Sequence, residues 1–469
     1  MKKNMLYKVA LLLLAGFGFL VMTSSDTGED ATTTCTCGTL IGIEFSPTVP
    51  GDNKLVTGQT QADCFAWWEF IALNWPVDAN TSFGQPGDTE PVQWETYMTR
   101  EVLLNQNGTK PPAWGSSQKA PDNKMALLAD HPAGTKLLFH SSKFNSDVEI
   151  IDETGQAFPN NAPNWLGAQN GTNIWYEVLV NEDEYNYIVD NAFYNADSQY
   201  VYVAAGNRID LPMGNSIQVG AMEIKASWME VTDPENAEKW NTYKLSKAVL
   251  VDPGTGNPRP AIVALIGLHI IHKTESQPTW FWATFEHVDN VKDSEDHTGP
   301  WNLYNPDCVT QEVNVPAACG QNTNKADSTY TIDCTANAQP TYYLCPAAGP
   351  VPMQVSREIP IDNDAQAVND KLQAFIQEHY PGSVWSNYQL INMIWSTTPQ
   401  NIQPNTVPQG LKAMQPLIPM ANTTSETFIQ QTTCYSCHQF AGIAPTSGDP
   451  NPKFASDFSF VFEFAKSQK

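Results

Sequence analysis

The sequence predicts an α+β fold: a large sheet-rich domain with peripheral helices, and a helical C-terminal segment packed on it. Three observations lead there. The middle of the chain holds a series of stretches rich in β-branched and aromatic residues, each bounded by Gly, Pro, Asn or Asp, the pattern of strands and their turns. Apolar residues at helical spacing fall outside or between those stretches. With 41% hydrophobic and 16% charged residues among 469, the chain can bury a core of two or three domains' size, and its 34 prolines mark it as loop-rich rather than disordered.

Lys2, Lys3 and Lys8 precede an apolar run from Val9 to Met22, with Thr23, Ser24 and Ser25 beyond it, so residues 1–25 read as a signal peptide. The run is shorter than the about 20 residues needed to cross a bilayer. No stable membrane span is therefore expected after cleavage. Cys35 follows Thr32, Thr33 and Thr34 rather than a lipobox. The expected location is periplasmic or secreted, where disulfides survive. The expected organisation is a sheet-rich domain over 26–400 and a C-terminal segment over 401–469.

Along the chain, Phe65, Trp68, Ile71, Ala72 and Trp75 give a buried helix over 63–75, closed by Pro76, and a second helix is expected over 94–104. An irregular region punctuated by Pro111, Pro112, Pro121, Pro132, Pro159 and Pro163 follows. Strands are expected over 174–180, 200–205, 217–231, 243–251, 261–273 and 279–287, with a helix at 183–193 between them. Ala367, Val368, Leu372, Phe375 and Ile376 make 364–380 an amphipathic helix stopped by Pro381 and Gly382. Asp362, Asn363 and Asp364 lack the spacing of a calcium loop and read as that helix's N-terminus.

Fifty acidic residues against 25 basic ones give a net charge of −25. No nucleic acid is expected as a partner, because affinity for phosphates needs clustered Lys and Arg. The charge favours solubility and a basic redox partner protein. The nine cysteines fall into three groups. Cys308, Cys319, Cys334 and Cys345 lie in a stretch without helical periodicity, and two local disulfides stapling the 308–345 loop are expected, their connectivity open. Among Cys35, Cys37 and Cys64, Cys37 with Cys64 is the better pair.

The third group carries the chemistry. Cys434-Tyr435-Ser436-Cys437-His438 is a C-x-x-C-H run, the attachment signature of c-type haem. Residues i, i+3 and i+4 share a helix face, so both thiols can bond porphyrin vinyl groups while the histidine ligates iron. Composition alone makes the run a chance event on the order of 0.003. A thioredoxin-like pair gives the histidine no role, a zinc knuckle needs a second ligand pair, and a structural disulfide is the plainest alternative. Thr423-x-x-Glu426 forms a capping box for a helix running toward the motif. One covalent haem c is the expected cofactor, held by Cys434, Cys437 and His438.

The chain resembles bacterial exported single-haem cytochrome c family proteins in which a large N-terminal region precedes the haem-binding segment. The resemblance rests on Ala421-Asn422-Thr423-Thr424 with Glu426-Thr427, on Cys434 to His438, and on Asp457-Phe458-Ser459-Phe460. It covers about the last fifty residues. The segments from Leu268 to Lys273 and from Thr284 to Asn290 are similar to the same group. What the resemblance implies is haem binding and electron transfer.

Residues 439–469 contain neither Met nor His, so a side-chain sixth ligand of those types comes from upstream. One source is the pair of central strands bearing His269, His272 and His287, of which His269 is preferred as an iron ligand beside His438. On a regular strand His269 and His272 face opposite ways. A second source is Met414 or Met420, whereas Met393 reads as helix core. The third is an open iron. Trp280, Phe281, Trp282 and Phe285 read as packing or as a haem wall, and Glu286 as a salt-bridged strand end or a proton carrier. His131, His140, His297 and His379 read as surface residues. The leading function is single-electron transfer; the alternatives are a haem enzyme acting on a small substrate at an open iron, and a β-rich binding module with an accessory haem.

Overall fold

The computed structural model describes residues 37, 45–54, 56–116, 131–132, 134–138, 166–251, 258–293, 298–308, 313–314, 353–399, 404–410 and 413–468. The signal segment, Cys35, His140, His297 and the 308–345 loop beyond Cys308, apart from residues 313–314, lie outside them. Cys308 is disulfide-bonded. Cys37 and Cys64, the better pair of the N-terminal group, form a disulfide.

The described elements, in chain order, are α1 (Gln59–Leu73), β1 (Met98–Thr99), α2 (Arg100–Leu103), β2 (Lys136–Leu138), β3 (Ile174–Val180), α3 (Glu182–Asp190), α4 (Ala196–Ala204), β4 (Met222–Glu230), α5 (Ala237–Trp240), β5 (Leu245–Val251), β6 (Pro258–His272), β7 (Phe281–His287), α6 (Asn363–His379), β8 (Tyr388–Ser396), β9 (Met414–Gln415) and α7 (Cys434–His438). The strands join in one nine-stranded sheet of order β1-β3-β4-β6-β7-β8-β9. β5 pairs with the first half of β6, and β2 runs parallel to β5. The other pairings are antiparallel, so the molecule is α+β with a large sheet and few helices. Among the described residues no helix is long and apolar enough to cross a membrane.

Period-two alternation divides the sheet into two packed faces. Leu268, Ile270, Phe281 and Phe285 face α1 and α6, where Phe70 stacks on Phe285 at 4.3 Å and Trp67 meets Phe285 edge-on. Ile271, Trp280 and Trp282 face the other way, toward α2, α3, α4 and the C-terminal segment. The aromatic run in β7 is thus split between two cores. Asp362 caps α6 by accepting the Asp364 N–H at 2.9 Å, the helix N-terminus read from the sequence.

Four expectations are corrected. Residues 200–205, with strand-forming Tyr and Val, belong to α4: Asn195 caps the helix and Gln199 is buried against the carbonyls of Phe193 and Phe462, so packing overrides propensity. The helix expected over 94–104 breaks into a 3-10 turn, β1 and the single turn of α2. Met393 lies in β8, every residue of which is buried; covered on both faces, that strand carries no alternation to separate it from a helix. The C-terminal segment is mostly turns, with the two-residue β9, α7 and a 3-10 helix at Phe460–Phe464 among its described residues.

Candidate functional site

The C-terminal segment is fastened to the sheet by buried polar contacts. Asn422 Nδ2 donates to Thr284 Oγ1 and to the Phe285 carbonyl, both at 2.9 Å. Thr423 donates its N–H (2.6 Å) and its hydroxyl (2.5 Å) to the Glu286 carboxylate. Arg357, itself bonded to Asp293, holds that carboxylate at 2.9 Å. Tyr176 donates to the Thr424 carbonyl at 2.8 Å. Gly267 makes the approach possible, because a Cβ there would collide with Thr424 Oγ1. Glu286 is therefore the salt-bridged strand end, and its task is docking.

The capping box expected at Thr423 and Glu426 does not form. Glu426 accepts the N–H of Asn422 (3.0 Å), and the cap of α7 is Thr433, whose hydroxyl accepts the Ser436 N–H at 3.1 Å. α7 presents Cys434, Cys437 and His438 to a partly open cleft between the sheet and this segment. Val178 on β3, Lys225 on β4, His269 and Ile271 on β6 and Trp282 on β7 form its sheet wall. The register explains the choice: Val178, Lys225 and His269 lie directly across from one another, with Ile271 and Trp282 in the next row on the same face.

Neither motif cysteine is in a disulfide, and both are half-buried. His438 packs edge-on against Trp282 (4.6 Å) and Phe460 (4.9 Å). Its Nδ1 lies 2.8 Å from the Phe458 carbonyl, which can only accept, so the proton sits on Nδ1 and Nε2 keeps the lone pair. Burial pulls the imidazole pKa down to about 3, and Lys225 and His269 push the same way against the Phe458 carbonyl and Glu426. The ring is neutral at ordinary pH, as a metal ligand must be.

Phe458 is held by an unusual corner. Asp457 and Phe458 both have positive φ, 57° and 68°, a left-handed conformation that costs a non-glycine residue free energy. Asp457 pairs with the buried Lys273 at 2.5 Å and accepts the Leu211 N–H at 2.8 Å, while Trp280 donates to its carbonyl at 3.0 Å. Gln409 accepts the Phe458 N–H at 3.2 Å. These contacts stabilise the strained corner and aim its carbonyl at His438.

His269 is 7% exposed, and its Nε2 is buried without a hydrogen bond, the Glu426 carboxylate lying 3.4 Å away. His272 and His287 are not brought to the cleft. His272 faces α1, between Glu69 (2.5 Å) and the Val219 carbonyl (2.6 Å). His287 stacks on Tyr243 at 3.8 Å and bonds the Thr242 carbonyl. Met420 is buried in the core beside Tyr435, Met414 pairs with Ser396, and neither lines the cleft. His379 is exposed. Of the Trp and Phe cluster read as packing or a haem wall, Trp282 alone lines the cleft, against His438; sequence reasoning missed the Phe458 carbonyl, which no side-chain pattern signals.

The donor set suits a c-type haem: two adjacent thiols, a neutral imidazole with Nε2 available, and a cleft walled by Val178, Ile271 and Trp282. Among the described residues no group of three or more metal-ligating side chains exists. A haem would bring its own porphyrin nitrogens and ask of the protein two thiols and an imidazole, which Cys434, Cys437 and His438 could give. No protein-family model, no curated protein and no solved structure matches the chain.

Proposed function

We propose that the chain is an exported c-type haem protein that passes single electrons to and from a partner protein. The observation that carries this reading is the run Cys434-Tyr435-Ser436-Cys437-His438 on one helical turn at the mouth of a cleft, with His438 Nδ1 committed to the Phe458 carbonyl. Cys434 and Cys437 would form the thioethers and His438 the proximal bond, and the haem would supply one-electron chemistry at iron. Trp282 and Ile271 keep water from the sheet side. His269, on the sheet wall with its Nε2 3.4 Å from the Glu426 carboxylate and without a hydrogen bond, would hold the other side of the iron. Arg100 and Lys225, at the cleft, supply positive charge for carboxylate substituents. The net charge of −25 steers a basic partner toward the molecule.

The test is expression of the exported full chain with haem maturation, followed by a pyridine haemochrome spectrum and intact mass. The expected result is one covalent haem, lost or crippled in Cys434→Ala, Cys437→Ala and His438→Ala. Full haem content in all three variants refutes the assignment. Low-spin iron inert to carbon monoxide supports electron transfer; high-spin iron that binds it favours chemistry on a small substrate instead. His269→Ala should convert the first state to the second, whereas His272→Ala and His287→Ala should leave the spectrum unchanged.

A further inference from the structure

We propose that the buried carboxyl pair Glu184 and Glu223 is a proton-binding site coupled to electron uptake at the cleft. The inference rests on the haem reading above. Glu223 lines the cleft on β4, in the same cross-strand row as Ile271 and Trp282. Glu184, on the first turn of α3, is fully buried, and the cap Asn181 sets it beside the start of β4: its Oδ1 accepts both the Glu184 N–H (3.2 Å) and the N–H of Met222, the residue before Glu223 (3.1 Å). An ionised carboxylate only accepts hydrogen bonds, so two of them can bond each other only by sharing a proton. Three of their four oxygens, both of Glu184 and Oε1 of Glu223, otherwise have no donor. A shared proton engages one oxygen of each.

The surroundings tune rather than quench it. Arg100 on α2 and the Ser459 hydrogen bond favour ionised Glu223, and Asp457 on the C-terminal segment opposes it. Asp457 is in turn partly neutralised by Lys273 from β6. Lys225 follows Glu223 on the same strand face, across from His269. Asp183, on the turn that bears Glu184, is engaged by the Gly220 N–H at 2.7 Å. Burial is the largest cause on both members: it lifts Glu184 well above the carboxylate range and Glu223 to about 7. Reduction places one more negative charge at the cleft and strengthens proton binding by its wall. The balance is one electron from a one-electron donor and one proton from water on reduction, both returned on oxidation; the only protein bond made or broken is the carboxyl O–H.

The experiment is potentiometric titration of the purified haem-loaded chain between about pH 6 and about pH 8. The wild-type midpoint should fall as pH rises, by up to about 59 mV per unit, the value of a tenfold step for one electron. In Glu184→Gln the amide donates to Glu223 and keeps it ionised, so the slope should shrink by about threefold or more with haem content unchanged. Should that variant not fold, Glu223→Gln reads the same slope. A flat wild-type midpoint, or an undiminished slope in the variants, overturns the proposal while the haem reading stands. Absence of covalent haem overturns both.

Discussion

Replacing Lys273 with Met tests the support beneath Phe458. Lys273 is 1% exposed and Asp457 3% exposed, and their 2.5 Å pair shares Asp457 Oδ2 with the Leu211 N–H. Removing one member of a buried pair typically costs about 3–5 kcal/mol, because the other charge stays behind unpaired. Asp457 can limit that cost by taking a proton: burial already raises its pKa, against the pull of Lys273. The loss in Lys273→Met should therefore lie near the lower end, about 3 kcal/mol at neutral pH. The sign with pH follows from linkage. Below the unfolded carboxylate value both states hold the proton and the deficit is smallest. Above it the unfolded chain ionises while Asp457 resists in both folded proteins, so the deficit opens only above the wild-type folded value, which Lys273 holds lower, and grows toward the variant's higher one. Urea unfolding followed by tryptophan fluorescence measures this, with Trp280 bonded to the Asp457 carbonyl as a nearby reporter. Lys273→Met with Asp457→Asn should recover most of the loss. A double variant no more stable than the single one, or a deficit independent of pH, would refute the reasoning.

Two further outcomes follow from buried groups. Burial raises Asp63 from 3.8 to about 8, helped by Asp362 and Asp364 and opposed by Gln59, so the folded protein holds a proton that the unfolded chain releases. That contribution is complete below the unfolded value and disappears as pH climbs through the folded one. Asp63→Asn should gain a few kcal/mol at pH 8 and almost nothing at pH 4 in urea titrations, since each tenfold change in proton affinity is worth about 1.4 kcal/mol; equal gains at both would contradict it. Gly267→Ala should cost about 1–3 kcal/mol and loosen the C-terminal segment toward proteolysis, since its Cβ meets Thr424. Wild-type protease resistance would show that Thr424 moves aside freely.

Much of the sheet was legible because β3, β4, β5, β6 and β7 carry β-branched and aromatic residues between turn formers. β8 was not, since burial of every residue erases alternation. α4 was misread for the opposite reason: its Tyr-Val-Tyr-Val run suits a strand locally, and only the Asn195 cap and buried Gln199 decide otherwise. At the site, Cys434, Cys437 and His438 were readable because their spacing is local. The groups around them were not. Phe458 acts through a backbone carbonyl, and Glu184 comes to Glu223 only through the Asn181 cap that joins the first turn of α3 to the start of β4.

The preference for His269 over His272 comes down to register. Alternation puts the two on opposite faces of β6, and a slip of one residue would exchange them, sending His272 to the cleft and His269 toward α1. Two features fix the frame. The β4–β6 ladder is irregular between Ser227 and Trp228, whose partners are Gly267 and Leu265, so Ile266 is the extra residue on β6. Immediately after it, Gly267 lies under Thr424, where no side chain fits. A slipped strand would bring Ile266 or Leu268 under Thr424 and break the docking made by Asn422 and Thr423. The contact that fastens the C-terminal segment to the sheet therefore also selects which histidine faces the motif, and Met414 and Met420, in the approach to that motif, are left to packing.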